Sequence, residues 1–244
     1  MKTLTWEWLP KGEFQITDDI ASQIHQVFFN GMGLSRGWSF ESIKATLSEL
    51  TLLGLLYDES HNLLGYAFYV VPETPILNDT YLLWQGAFCL SKKVQGHLAT
   101  MYIKVLNQVV YTLSAKEPNK FAGKTFSWIG CRTQNPVVLL AHKRVARAVY
   151  PFDVTYETDN GMQLIDFLSR NISEVQKASV DSKLNKTNGI CKRVYSEGIL
   201  GDYRFPSQDY YCFEQKLKEW GFQRNEGDTL VVVAQLKEGI VSNG

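Results

Sequence analysis

The first part of the chain shows strand-like and helical spacing of apolar residues in turn. Residues 14–17 (FQIT) predict a short strand, and residues 20–33 then carry apolar side chains at helical spacing. Asp18 or Asp19 is expected to cap this helix, because a short acidic side chain accepts hydrogen bonds from the first free backbone N–H groups. A second helix is predicted over 39–50. One strand followed by two helices is therefore expected here.

Continuous apolar runs after this region predict three strands. The runs have the length of sheet strands and are separated by polar residues: 50–58, 62–73 and 81–90. The polar sequence DESHN between the first two runs favours a hairpin connection. Helical spacing returns over residues 100–114.

A further strand and helix follow. Residues 124–133 predict a strand, and residues 134–149 predict a helix with Pro136 near its first turn. The order up to residue 150 is then strand, helix, helix, three strands, helix, strand, helix. A hairpin meander followed by strand–helix–strand–helix predicts a mixed sheet covered by helices, in the α/β class.

The last third of the chain has a weaker pattern. Two helices and a final strand are predicted there, over 162–170, 209–222 and 229–236. Residues 171–208 are polar and irregular, and no internal repeat is evident. We therefore expect a single domain over 1–244, with a core at 14–150 and a C-terminal extension at 151–244 that supplies closing strands.

The composition limits the classes of partner. The chain has 244 residues, 45% of them hydrophobic, which is enough for a substantial core. Its 25 basic and 25 acidic side chains give zero net charge, which argues against bulk attraction to nucleic acid or to anionic membranes. Neither a signal-peptide pattern nor an apolar stretch of membrane-span length is present. A cytoplasmic protein is expected, and its oligomeric state is left open.

The four cysteines do not predict a metal site. Cys89, Cys131, Cys191 and Cys212 include no CxxC pair and no tight spacing, so neither a disulfide framework nor a zinc site is expected. Cys89 and Cys131 lie in apolar, strand-like segments, where a reduced cysteine behaves as a small core hydrophobe.

The candidate chemistry lies where the third apolar run meets the next helix. Residues 91–106 (SKKVQGHLATMYIKVL) contain no acidic side chain, and Gln95, Gly96 and His97 precede the return of helical spacing. The N-terminus of a helix presents free amide groups and the positive end of the helix dipole, about half a charge, and both favour phosphate. This turn is therefore a candidate anion-binding site.

The element order and this turn resemble the GNAT acyltransferase superfamily. In that family a loop of the type (Q/R)-x-x-G-x-(G/A) joins the fourth strand to the third helix and holds the pyrophosphate of coenzyme A. Gln95 and Gly96 fit the pattern, whereas Leu98 and Thr100 replace its glycine-type positions. The resemblance implies a donor site at the strand end and the loop, formed by Phe88, Leu90, Gln95, Gly96, His97, Leu98, Ala99 and Thr100.

A second match lies downstream. Residues 132–144 resemble the fifth strand and fourth helix of the family, which implies that Asn135 reaches the pantetheine arm of coenzyme A. Seven residues later many members have a tyrosine that protonates the departing thiolate, and His142 stands there as the implied catalytic acid. A rival register places 214–233 in this role, with Leu217 at the tyrosine position. The spacing from the loop favours the first register.

Each of these candidates also has a purely structural explanation. His97 fits a solvated loop, and His142 fits a solvated helix face because Lys143 follows it. Asn135, directly before Pro136, is a good helix cap whatever the function. The sequence leaves both interpretations open at each position.

The resemblance implies acyl transfer from an acyl-CoA to an amine. Acetyl-CoA is the default donor, and a longer acyl-CoA or an acyl-carrier protein is the alternative. The thioester is expected between strands 81–90 and 124–133, with a strand amide near Phe88 or Leu90 polarising its carbonyl group. The acceptor is left open between a small amine and a lysine, ornithine or N-terminal amine of a peptide.

Two points of this mechanism stay open in the sequence. The general base is assigned to no residue, although Glu73 and Asp79 lie near strand ends and are candidates to act through water. The competing interpretation is a non-catalytic protein of the same fold that binds acyl-CoA or a protein partner.

Overall fold

A computed structural model describes residues 3–32, 39–94, 98–195 and 207–241. Its strands are β1 (Thr5–Pro10), β2 (Leu52–Tyr57), β3 (Leu63–Val70), β4 (Thr80–Leu90), β5 (Thr125–Thr133), β6 (Ala146–Tyr150), β7 (Ile190–Cys191) and β8 (Thr229–Leu236). Its helices are α1 (Asp18–Met32), α2 (Phe40–Glu49), α3 (Leu98–Lys116), α4 (Pro118–Phe121), α5 (Pro136–Val145), α6 (Asp159–Asn171), α7 (Ser173–Val180) and α8 (Gln208–Glu219).

Over these described residues the strands form one eight-stranded sheet. The order is β1-β2-β3-β4-β5-β8-β6, and β7 pairs with β8 beside this path. Strands β1 to β4 pair antiparallel, β4 and β5 are parallel, and β8 is antiparallel to both β5 and β6. The long helix α3 provides the crossover that a parallel pair requires. The predicted class, a mixed α/β sheet covered by helices, is confirmed.

The helices cover both faces of the sheet. One face packs against α3, α5 and α8 around a large apolar cluster. The opposite face has two neighbouring layers: α1 and α2 cover β2 and β3, while α6 and α7 cover β4, β5 and β8. Cys89 and Cys131 are buried on opposite faces, which confirms their prediction as core residues. Of the helices in the described ranges, none has both the length and the apolar character that a bilayer crossing requires.

The start of the chain differs from the prediction. Residues 14–17 form no strand, and the first strand is Thr5–Pro10, which pairs with β2. Thr17 instead caps α1, because its Oγ1 accepts a hydrogen bond from the backbone N–H of Ile20 at 3.2 Å. Of the two predicted caps, Asp18 forms an ion pair with Lys44 of α2, and Asp19 accepts a hydrogen bond from the side chain of Gln23.

Two further element predictions are wrong. The helix expected over 134–149 ends at Val145, and Ala146–Tyr150 continues as strand β6. The pairing of β6 with β8, whose residues lie more than 80 positions further along the chain, overrides the local helical pattern. The region 171–208 was expected to be irregular but contains α7 and β7.

Candidate functional site

The two parallel strands separate part-way along their length. β4 and β5 pair from Thr80↔Thr125 to Gln85↔Cys131, where the register between them ends. From there β4 continues along β3 to Leu90, and β5 continues along β8 to Thr133. A gap therefore opens in the middle of the sheet beyond Gln85 and Cys131.

A β-bulge lies at this point of β4. Phe68 pairs with Ala87 and Tyr69 pairs with Gln85, so that Gly86 is an additional residue on β4. Successive side chains of a regular strand alternate between its faces, and a bulge shifts this alternation. Gln85 and Phe88, three positions apart, consequently both contact Tyr102 of α3.

The gap opens into a cavity of about 490 Å³. Its walls come from α2, from β4 beyond the bulge, from the start of α5 and from α7. The residues that line it include Thr46, Gln85, Phe88, Cys131, Asn135 and Glu174. A partly apolar cavity with a few polar groups is the usual form of a small-molecule site.

The predicted donor-site residues fall into three groups. Phe88 lines the cavity, whereas Leu90 is buried beside Leu56 and Val94. Gln95, Gly96 and His97 lie outside the described residues. Leu98, Ala99 and Thr100 form the first turn of α3, at the end of β4 where the gap opens. The assignment of these residues to coenzyme A stays a prediction.

Asn135 is the N-cap of α5 and lies at the cavity. Its Oδ1 accepts a hydrogen bond from the backbone N–H of Val137 at 2.9 Å, and its own N–H donates to Thr133 Oγ1 at 2.9 Å. Within the described residues its side-chain Nδ2 makes no hydrogen bond. The structural interpretation is therefore correct, and the amide N–H groups are still available to a ligand.

His142 is a core residue. It is 0% exposed, and its Nδ1 lies 2.8 Å from the carbonyl oxygen of Val138, one turn earlier in α5. Its Nε2 is buried with no hydrogen-bond partner in the described part of the chain, and its ring centre lies 5.9 Å from that of Tyr102. The alternative of a solvated helix face is wrong. Burial, partly offset by the bond to Val138, lowers the pKa of His142 to about 4.

These properties constrain a catalytic role for His142. With a pKa near 4 the ring is neutral at neutral pH, so the imidazolium form invoked as proton donor is scarce there. Val138 O accepts the Nδ1 proton, which leaves Nε2 without one. His142 is also not one of the described residues that line the cavity. Its catalytic role stays a prediction.

The two candidate bases lie at the opposite end of β4. Asp79 directly precedes the strand, and Glu73 forms an ion pair with Lys120 at 3.3 Å. The five strand residues between the start of β4 and Gln85 span about 17 Å. Neither carboxylate is therefore placed to act at the gap.

A cluster that the sequence did not reveal joins α7 to the sheet at the cavity wall. Glu174 Oε1 accepts a hydrogen bond from Trp84 Nε1 at 2.7 Å, and Glu174 Oε2 pairs with Arg132 Nη2 at 2.8 Å. Arg132 Nη1 also donates to the backbone oxygen of Glu174 at 3.3 Å. Arg132 lies near the end of the predicted strand 124–133, but its partner Glu174 lies in a segment without a readable hydrophobic period.

No protein-family model and no curated protein sequence matches the chain. Solved structures do resemble it. The ribosomal-protein-S18-alanine N-acetyltransferase from Escherichia coli is 8% identical, over 97% of this chain and 96% of that chain, with a TM-score of 0.45. The IAA acetyltransferase from Bacillus cereus ATCC 14579 is 11% identical, over 96% of this chain and 100% of that chain, with a TM-score of 0.42. A GNAT-family N-acetyltransferase from Escherichia coli in complex with CoA is 12% identical, over 57% of this chain and 66% of that chain, with a TM-score of 0.35.

The CoA complex is named a GNAT-family N-acetyltransferase, and the other two are named an N-acetyltransferase and an acetyltransferase. The chain spans just under two thirds of the CoA complex and 32% of a probable N-acyltransferase from Enterococcus faecalis V583. At identities and TM-scores of this size, the substrates and partners of the present chain are left open.

Proposed function

We propose that the protein is an N-acyltransferase that moves an acyl group from an acyl-CoA to an amine. The observation that carries this proposal is the separation of β4 and β5 after Gln85 and Cys131 into a cavity of about 490 Å³, with α3 beginning at the same end of β4. An elongated thioester fits an opening between two strands, and the N-terminus of a 19-residue helix favours its pyrophosphate.

The donor is expected to be acetyl-CoA, with a longer acyl-CoA or an acyl-carrier protein as the alternative. Residues 95–100 bind the pyrophosphate in this proposal, and the free amide N–H groups of Asn135 donate to the pantetheine arm. The strand amides between Gly86 and Leu90 that point towards the gap donate to the thioester carbonyl oxygen, because strand N–H groups face both sides in turn. The acceptor is a small amine or an amine of a peptide.

The reaction is a direct transfer. The lone pair of the neutral amine forms a bond to the carbonyl carbon, and the carbon–sulfur bond breaks with its electron pair remaining on sulfur. The nitrogen loses one proton and the thiolate gains one, so the products are an amide and free coenzyme A. No acyl-enzyme is invoked: burial raises the pKa of the Cys131 thiol at the cavity well above its usual range, so the nucleophilic thiolate is not formed.

Binding of the donor should raise the melting temperature. A ligand at 100 times its dissociation constant stabilises the native state by about 2.7 kcal/mol, which for a chain of this size is a shift of about 5 to 10 °C. We expect this shift with coenzyme A, acetyl-CoA or a long-chain acyl-CoA in a thermal-denaturation measurement, and a smaller one with ADP as control. An unchanged melting temperature with every CoA compound at millimolar concentration contradicts the proposal.

The second candidate is a non-catalytic protein that binds acyl-CoA. The burial of His142 outside the cavity favours it, because the expected proton donor is then missing from the site. The two functions predict different results when the protein is mixed with acetyl-CoA and a library of amines and peptides, and the release of free thiol is measured. Thiol release with a matching mass increase on an amine supports transfer. Stabilisation by acetyl-CoA without either signal supports the binding protein.

Two substitutions of Asn135 distinguish its role as a helix cap from its proposed contact with the ligand. Asn135→Ala should lower the free energy of unfolding by about 1 kcal/mol, since the hydrogen bond to Val137 is lost, and should also weaken CoA binding. Asn135→Ser keeps a capping oxygen but lacks the amide donor. Urea denaturation should show parental stability for this variant, and calorimetric titration should show about fivefold weaker CoA binding. Parental CoA affinity in Asn135→Ser would leave Asn135 as a helix cap alone.

A further inference from the structure

We propose that the side-chain amide of Gln85 donates a hydrogen bond to the carbonyl oxygen of the bound acyl thioester, and that Tyr102 positions this amide. The inference rests on the proposed acyl-CoA-dependent function. It adds a side-chain donor to the strand amides considered above.

Gln85 lies where the gap begins. It is the last β4 residue that pairs with β5, opposite Cys131, and Gly86 of the bulge follows it. Although Gln85 is only 5% exposed, it is one of the residues that line the cavity. A ligand that enters the gap between the two strands passes close to this residue.

One hydrogen bond sets the orientation of the Gln85 amide. Tyr102 Oη donates to Gln85 Oε1 at 3.1 Å. Burial raises the pKa of Tyr102 well above its usual range, so the phenol keeps its proton and remains a donor. Because Oε1 accepts this bond, Nε2 with its two hydrogens is the part of the amide that remains able to donate to a ligand. Within the described residues Nε2 makes no hydrogen bond. A side-chain donor at a cavity without a partner is a natural contact for a carbonyl oxygen.

Tyr102 is itself held in place by aromatic packing. Its ring meets the edge of Phe88 at 6.3 Å and lies 5.9 Å from the ring of His142. Tyr102 is 3% exposed and belongs to the core between α3 and the sheet. Its hydroxyl is therefore a fixed point against which the amide is oriented, and Tyr102 acts through Gln85 rather than on the ligand.

A donor at this place favours the transfer step. As the amine adds to the thioester carbon, negative charge develops on the carbonyl oxygen, and a preoriented N–H group stabilises that charge more than the starting carbonyl. When the carbon–sulfur bond breaks, the oxygen lone pair re-forms the carbonyl double bond and the electron pair of the broken bond leaves with the sulfur. The Gln85 amide exchanges no proton with the substrate in this sequence.

The test compares two ligands that differ in the carbonyl group. S-ethyl-CoA, a thioether, lacks the oxygen of acetyl-CoA but keeps the rest of the molecule. The wild-type protein should bind acetyl-CoA more tightly than S-ethyl-CoA in calorimetric titrations. Gln85→Met should reduce this preference about fivefold, the effect of one hydrogen bond, while the affinity for S-ethyl-CoA stays unchanged. Thr46→Val, which alters the opposite cavity wall, is the matched control and should keep the parental preference.

Tyr102→Phe tests the positioning role, since it keeps the aromatic contacts and removes only the hydroxyl. It should lower the preference for acetyl-CoA without changing the affinity for S-ethyl-CoA. Should Gln85→Met fail to fold, Gln85→Glu retains the acceptor for Tyr102 and removes the donor, and the same loss is expected. An unchanged preference in the folded Gln85 variant overturns the inference, and an unchanged preference in Tyr102→Phe overturns the positioning role.

The outcome also distinguishes this inference from the function on which it rests. If wild-type protein binds both ligands and the Gln85 variants keep the full preference, the inference on Gln85 fails and the proposed use of acyl-CoA stands. If wild-type protein binds neither ligand, the proposed function fails and the inference with it.

Discussion

Replacing Glu174 with alanine should lower the free energy of unfolding by about 3 kcal/mol. The carboxylate of Glu174 accepts from Trp84 and pairs with Arg132, and the side chains of Arg132 and Glu174 are only 13% and 27% exposed. Removing it leaves an indole N–H without its acceptor and a largely buried guanidinium group without its anionic partner, although the backbone oxygen of Glu174 still accepts from Arg132. Each loss is costly in a poorly solvated site. Urea denaturation should give this difference, with a melting temperature lower by about 6 to 12 °C.

A matched exposed pair provides the control for this prediction. Lys186 and Asp166 lie 2.7 Å apart, but their side chains are 53% and 52% exposed. Asp166→Ala should therefore cost less than about 1 kcal/mol, because solvent screens an exposed ion pair. Glu174→Gln keeps an acceptor for Trp84 but not the charge. Its loss of stability should therefore lie between the losses of Glu174→Ala and Asp166→Ala. Equal losses from Glu174→Ala and Asp166→Ala would show that burial does not set the cost.

The central part of the fold was predictable because its signals are local. Residues 50–58, 62–73 and 81–90 are apolar runs of strand length, and the bounds of each predicted strand agree with the structure to within three residues. The helix over 100–114 has a strong period and is found as Leu98–Lys116. Such segments carry their own pattern, and the tertiary structure does not alter it.

The elements that were missed depend on distant partners. Strand β6, at Ala146–Tyr150, follows a helix directly and is defined by its pairing with β8. Two-residue β7 is likewise a strand only because Ile190 pairs with Leu230. A local period cannot report contacts between residues so far apart in the chain, so local spacing favoured helix in the first case and no structure in the second.

The same distinction applies to the candidate site. Asn135 and Phe88 were identified by resemblance, and both line the cavity. The roles of Gln85 and Glu174 were not visible, because the local pattern does not show that the pairing of β4 with β5 ends at Gln85, and Glu174 belongs to a segment without a period. Sequence patterns place residues on elements, whereas a bulge or a long-range ion pair decides which of them meet.

His142 should make the protein less stable as the pH falls from 7 to 5. The pKa of a histidine is about 6.5 in an unfolded chain, whereas burial lowers that of folded His142 to about 4. Between these values the unfolded state binds a proton that the folded state does not, so protonation favours unfolding. The stability present above pH 6.5 is then lost progressively towards pH 4, and the part lost by pH 5 is about 2 kcal/mol.

His142→Leu tests this linkage, because it fills a similar volume without a titratable group. It also removes the buried Nε2 that lacks a partner among the described residues, so the cost at pH 7 should be small. Urea denaturation at pH 7 and at pH 5 should show that the variant loses about 2 kcal/mol less than the parent over this interval. His61→Asn, at an exposed turn position, should retain the parental loss. An equal loss in His142→Leu and the parent would contradict a buried, neutral His142, and would restore the imidazolium that a proton-donor role requires.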